Sequence, residues 1–231
     1  MDIKATLSII IPCYNELRIR DVLAAIEAVD LGDVNKEVII INDGSKPAVR
    51  SILEKVAERY KVIHLPKNFG KGYAVRQGIK AASGNIILIQ DADLEYNPQD
   101  YSRLIQPITS HQAQVVYGSS FLQLGNKRSQ YYWGVRALTL LTNILYGSRL
   151  TDEATCYKVF TANLLKSIPL SCQRFEFCPE VTAKILKKGI KIMEVPIHYT
   201  PRTISQGKKV RVKDGIIAAR TLIKYYFLPC R

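Results

Sequence analysis

The chain has 231 residues, 47% of them apolar and 23% charged, with a net charge of +13. Those proportions exclude an intrinsically disordered chain, and the length suits one large α/β domain rather than two. The charge excess is concentrated: residues 184–231 carry twelve Lys/Arg against Glu194 and Asp214, ten of the thirteen net charges, and so imply an anionic partner.

In chain order, Ser8-Ile9-Ile10-Ile11 is a continuous apolar run ended by Pro12, the pattern of a strand buried on both faces. Residues 17–29 place Val22, Leu23, Ile26 and Val29 at helical spacing. A second buried strand at 37–41 (EVIII) stops at Asn42-Asp43-Gly44. A helix at 48–59, a short strand at 61–65, a helix at 71–82 and a strand at 86–90 follow, then a helix at 99–108 and a strand at 114–117. This alternation predicts a mostly parallel sheet with helices on both faces, whose ligands bind at the carboxyl ends of the strands. Three polar clusters fall at those ends: Tyr14-Asn15-Glu16, Asn42-Asp43-Gly44-Ser45 and Asp91-Ala92-Asp93.

After residue 120 the alternation stops. Helices are expected at 130–146, 177–188 and 212–228, an extended segment at 190–199, and a mobile basic loop at 200–211 (TPRTISQGKKVR). No apolar run reaches the roughly 18–20 residues of a membrane-spanning helix. The nearest, 216–228, is interrupted by Arg220 and Lys224 and suits a membrane surface or a docked core helix equally. Five cysteines, no CxxC and an N-terminus that runs straight into a strand predict reduced thiols in a cytoplasmic protein without a zinc site.

Asp91-x-Asp93, with Glu95 two residues on, offers hard oxygen ligands for Mg²⁺ or Mn²⁺, which take one or two carboxylates and complete their shell with substrate phosphates. The competing reading is a polar loop whose acids cap the helix near residue 98. Asp43 at a strand end can bond a nucleoside, or simply close an Asx-turn. Gly70-Lys71-Gly72 resembles a phosphate loop only superficially, because GxxxxGK[ST] is not present. His64, His111 and His198 are isolated, and isolated histidines are ordinary surface residues more often than ligands.

Taken together, LSIIIPCYNE, VIIINDGSKP, KNFGKGYAVRQGI, GNIILIQDADLEYNP and VVYGSSFL stand in the order and spacing of family 2 glycosyltransferases of the GT-A fold, which the chain resembles from about residue 6 to about 227. The second half, with LTDEATCYKVF, FCPEVTAKILKKGIKIMEVPIHY and RTISQGKKVRVKDG, resembles the dolichyl- and polyprenyl-phosphate sugar synthase branch. The resemblance implies one GT-A domain, with a nucleotide-sugar half at 1–120 and an acceptor half at 121–231. It implies inverting transfer from a GDP- or UDP-sugar to a lipid phosphate, at the cytoplasmic face of an anionic membrane. By position, Pro12, Tyr14, Glu16, Asp43 and Asp91-Ala92-Asp93 match donor contacts, and Asp91, Asp93 and Glu95 match metal ligands. Arg136, Arg202, Lys208 and Lys209 match phosphate holders, and Asp93 and Asp152 match catalytic acids.

The chain departs from the family pattern at Ser120, where an arginine is common, at Ala154, at Cys178 in place of an acid, and at Gln206. These departures fall on the acceptor side. A soluble or glycan hydroxyl acceptor is the alternative, and would need a base such as Asp152 or Glu153. A nucleic-acid-binding module fits the charge but not the three acidic strand ends.

Overall fold

The structure, a computed structural model, describes residues 5–125, 131–203 and 207–229. Residues 204–206 of the basic loop, Cys230 and Arg231 lie outside the described residues. Seven strands form one sheet: β1 (Thr6–Cys13), β2 (Asn35–Asn42), β3 (Lys61–His64), β4 (Ile86–Ile89), β5 (Val115–Ser119), β6 (Lys158–Thr161) and β7 (Met193–Pro196), in the order β3-β2-β1-β4-β6-β5-β7. The intervening helices are α1 (Ile19–Glu27), α2 (Pro47–Val56), α3 (Lys71–Ala81), α4 (Tyr101–Thr109), α5 (Tyr132–Tyr146), α6 (Ala162–Ser167), α7 (Phe177–Lys187) and α8 (Val212–Phe227).

The expected parallel sheet is present. β1 pairs in parallel with β2 and with β4, in registers that set Ile10 opposite Ile39 on one side and opposite Ile89 on the other. All three isoleucines are buried, which removes about 1.5–3 kcal/mol worth of apolar surface from water at each. Helix α3 lies so close to β1 that a Cβ on Gly78 would stand 2.3 Å from Ile10 Cγ2; only glycine lets helix and strand approach this far.

β1 is flanked by β2 and β4, so the chain's direction of travel reverses there and a crevice opens beyond the strands' carboxyl ends. The one antiparallel strand of the sheet, β6, lies between β4 and β5. Because it runs the other way, its amino end lies at the same edge. This delivers Asp152, Glu153 and Cys156 to the crevice that the parallel strands reach with their carboxyl ends. The second half of the chain therefore adds a strand to the interior of the sheet and another, β7, to its margin.

Candidate active site

The loops at this edge are tied together by their own polar groups. The Asn15 backbone N–H donates to Ser45 Oγ (3.0 Å), and the Lys46 N–H donates to Asn15 Oδ1 (2.8 Å). Gly44, at φ +68°, would carry a Cβ 2.4 Å from the Lys67 carbonyl carbon, so the turn after β2 is pressed against residues 67–70. The result is an anchored Asp43. Its carboxylate accepts from the Phe69 and Gly70 N–H groups (2.7 and 2.8 Å) and from Asn68 Nδ2 (2.8 Å). Asp43 therefore shapes the crevice by holding the start of α3, and it borders the cavity described below.

Lys71, the first residue of α3, reaches across to β4. Its Nζ stands 2.5 Å from Asp91 Oδ1 and 3.6 Å from the Cys156 thiol. Burial acts to raise the Asp91 pKa and to lower that of Lys71. Their mutual attraction outweighs it in both, so the carboxyl is held below its ordinary range and the ammonium above. Asp93 differs. Burial, then the nearby charges of Asp91 and Glu95, push its pKa up to about 6, against the pull of Arg202.

Arg202 reaches the acids because the chain after β7 zips onto the loop after β4: Thr200 N–H donates to the Glu95 carbonyl (2.8 Å), and Tyr96 bridges Tyr199. The guanidinium then contacts three carboxylates: Glu16 through Nη1 (3.0 Å), Glu95 through Nε (3.3 Å) and Asp93 through Nη2. Lys208 Nζ donates to Glu95 Oε2 (2.8 Å) and to Tyr199 Oη (2.9 Å). Lys209 bonds the Tyr14 carbonyl and lies 5.6 Å from that ring's centre.

Among the described residues no three Asp, Glu, His or Cys groups converge as a self-contained metal cage. Glu95 is turned to Tyr199, Arg202 and Lys208. What the edge offers a hard cation is the Asp91 and Asp93 pair, the number of carboxylates Mg²⁺ takes when phosphates supply further ligands.

Asp152 is buried and accepts from Ser120 twice, from the N–H (3.1 Å) and from Oγ (2.7 Å). Burial raises its pKa, and the Ser120 bonds offset this only in part. Ser120, standing where an arginine was expected, is thus the direct partner of Asp152. Burial likewise raises the pKa of Glu153, opposed by Lys158.

One cavity of about 1340 Å³ joins these groups. Its polar floor includes Pro12, Tyr14, Glu16, Asp43, Lys71, Asp91, Ala92, Asp93, Glu95, Asp152, Arg202, Lys208 and Lys209. From there an apolar arm runs between α5 and α8, past Phe121, Tyr132, Val135, Leu138, Leu141 and Ile216. Arg136 does not border it. Its guanidinium lies over the Phe121 ring (5.4 Å), on the exposed side of α5. Lys71 and Ser120 were not singled out as site residues by the sequence, although the Gly-Lys-Gly at a helix start was the available signal for the first.

Residues 8–168 match the family model described as glycosyl transferase family 2. The chain belongs to this family. The glycosyltransferase is 28% identical over 239 residues to a dolichyl-phosphate beta-glucosyltransferase of Trichomonas vaginalis, an alignment covering 94% of this chain and 72% of the relative. It is also 28% identical over 242 residues to a UDP-N-acetylglucosamine–dolichyl-phosphate N-acetylglucosaminyltransferase of Methanococcus voltae, with 94% and 95% covered. A crystal structure of glucosyl-3-phosphoglycerate synthase from Mycobacterium tuberculosis, in complex with Mn²⁺, UDP and glucosyl-3-phosphoglycerate, superposes with a TM-score of 0.75 at 19% identity, over 97% of this chain and 81% of that one. The architecture of the glycosyltransferase is accordingly the GT-A fold.

Proposed function

We propose that this glycosyltransferase moves a sugar, with inversion, from a UDP- or GDP-sugar to a polyprenyl or dolichyl phosphate. The reaction is assisted by Mg²⁺ or Mn²⁺, at a membrane surface on the cytoplasmic side. The observation that carries the reading is the joined cavity, in which a floor of acids and bases opens into an apolar arm between α5 and α8. A soluble acceptor has no use for such an arm, whereas a lipid phosphate has a charged end and an apolar chain to place. The names of the two relatives, which both act on dolichyl phosphate, support the same acceptor.

In this reading the crevice beyond β1 and β2, with Pro12, Tyr14, Glu16 and Asp43, takes the nucleoside. Asp91-Ala92-Asp93 faces the diphosphate. A divalent cation held by Asp91 and Asp93 would neutralise charge on the departing nucleoside diphosphate. Arg202, Lys208 and Lys209 hold phosphate oxygens, and their positive charge draws the anionic acceptor in. A phosphate monoester with a second pKa of about 6 is largely ionised at pH 7, so the attacking oxygen needs no protein base. Asp152 then acts as a buried anchor at the acceptor end, holding Ser120, rather than as a proton acceptor.

Peripheral membrane binding is supported by exposed apolar side chains on the same two helices. Trp133 and Ile144 on α5 and Ile217, Ile223 and Phe227 on α8 are exposed, interspersed with Arg220 and Lys224. No helix among the described residues is long and apolar enough to cross a membrane. The test is a two-phase assay with labelled UDP- and GDP-sugars, Mn²⁺ and detergent-dispersed polyprenyl phosphate. Label passing into the organic phase supports the reading; label that stays aqueous with every donor overturns it.

A further inference from the structure

A guanidinium shared by three carboxylates is an unusual occupant for a site that must accept a dication. Arg202 contacts Glu16, Asp93 and Glu95 together, and its side chain is only 19% exposed. Lys208 takes the remaining oxygen of Glu95, and Lys71 takes Asp91. Glu16, Asp91, Asp93 and Glu95 are each therefore already paired with a basic side chain of the protein itself. The four acids Glu16, Asp91, Asp93 and Glu95 stand against Arg202, Lys208 and Lys71, so the cluster is close to balanced before any ligand arrives.

We infer that Arg202 and a divalent cation are alternative occupants of Asp93, so that the ligand-free enzyme resists bare metal and admits it together with a nucleoside diphosphate. The inference rests on the donor and metal assignment made above. Its physical basis is an exchange of partners. A bare dication must displace the guanidinium from Asp93 and leave Arg202 facing two acids with nothing gained in return. When a diphosphate enters with the cation, its oxygens offer Arg202 a bidentate partner of the same kind it gives up. The cation then takes Asp93 and the guanidinium exchanges that carboxylate for phosphate oxygens, so neither Asp93 nor Arg202 loses a partner in the exchange. Metal and nucleotide consequently bind with positive coupling, each raising the affinity of the site for the other by the same factor.

The experiment measures Mn²⁺ affinity directly, by the paramagnetic resonance signal of free Mn²⁺, with and without UDP and GDP, on wild type and three variants of the whole chain. In Arg202→Gln the carboxylate is free. If the blocked form outweighs the open one by about tenfold in wild type, bare Mn²⁺ binds about tenfold tighter in the variant and the enhancement by nucleotide shrinks to match. Arg202→Lys keeps the charge but cannot span three carboxylates, and is expected to lie between the two. Lys80→Gln removes an exposed charge in the last turn of α3, at the end of that helix away from the acids, and is expected to stay within about twofold of wild type. Thermal unfolding confirms that each variant is folded.

An Arg202→Lys variant that matches wild type while Arg202→Gln binds tighter would show a bulk charge effect and overturn the inference. So would bare Mn²⁺ affinity unchanged in Arg202→Gln. If nucleotide-dependent Mn²⁺ binding is nevertheless seen in wild type, the metal-assisted reading survives that failure. If no Mn²⁺ binds to any form, with either nucleotide, both fall.

Discussion

Lys71 Nζ lies 2.5 Å from Asp91 Oδ1, joining the first turn of α3 to the loop that follows β4. Removing either partner alone leaves a half-buried charge without its partner. Lys71→Met should cost about 1–3 kcal/mol in urea unfolding at pH 7. Lys71→Met combined with Asp91→Asn should recover much of that loss. The pH dependence has a definite sign. Asp91 has a folded pKa below its unfolded value, so the pair's contribution is present above the unfolded value, about 3.9, and is lost as pH falls through the lower, folded one. The gap between wild type and Lys71→Met should therefore narrow in strong acid. A gap independent of pH would contradict this.

Asp93 carries the opposite shift. Its folded pKa, about 6, lies above the unfolded value, so its ionisation opposes folding. The penalty is absent well below the unfolded value of about 3.9, grows between that and about 6, and is fully present above. Asp93→Asn should thus raise the melting temperature of the ligand-free protein at pH 7.5 by several degrees, roughly what 1–2 kcal/mol gives in a chain of this size, while abolishing transfer. At pH 4 the two melting temperatures should converge. Calorimetry across this range is the check, and a destabilised variant at pH 7.5 would contradict the assigned balance of charges.

Asp152 separates the two acceptor chemistries. A general base contributes about 10²–10⁴-fold to a hydroxyl transfer, and nothing comparable to attack by an ionised phosphate. Asp152→Asn keeps the Ser120 hydroxyl partnered through the amide oxygen and should retain transfer to polyprenyl phosphate within about tenfold. Steady-state kinetics showing a thousandfold fall in kcat with KM unchanged would assign Asp152 the role of base.

Ile144→Glu with Phe227→Glu places charge on the outward face of α5 and α8, away from the cavity floor. Sedimentation with vesicles containing anionic phospholipid should fall several-fold at low salt, while transfer in detergent persists. Wild-type binding should weaken at about 0.5 M salt, where the screening length is a few ångströms. Retained sedimentation of the double variant would place the membrane contact elsewhere.

Much of the architecture was legible because the strands of the first half are buried on both faces. The runs ending at Pro12, Asn42 and Gln90 are apolar throughout and end in polar residues that cannot continue them, so strand, edge and cluster are read at once. β6 was not legible. It is four residues long and begins with Lys158, whose buried ammonium is satisfied by the Glu153 carbonyl (2.6 Å) and the Tyr117 ring (3.7 Å). A lysine inside a buried strand erases the apolar pattern, and its partners lie in tertiary structure. Lys71 was visible as part of Gly70-Lys71-Gly72 at a helix start, but its partner Asp91 lies twenty residues on and only the fold brings the two together. Arg136 is the converse case: its place on α5 was readable, but that its guanidinium would stand over the Phe121 ring was not.

The central claim is that the acceptor is a lipid phosphate, and a matched pair of acceptors tests it most directly. Polyprenyl phosphate and the polyprenol of identical chain length share everything except the charged end. With the active donor and Mn²⁺, mass spectrometry should find a glycosylated product from the phosphate and none from the alcohol. Equal transfer to both, or transfer to the alcohol alone, would contradict the account.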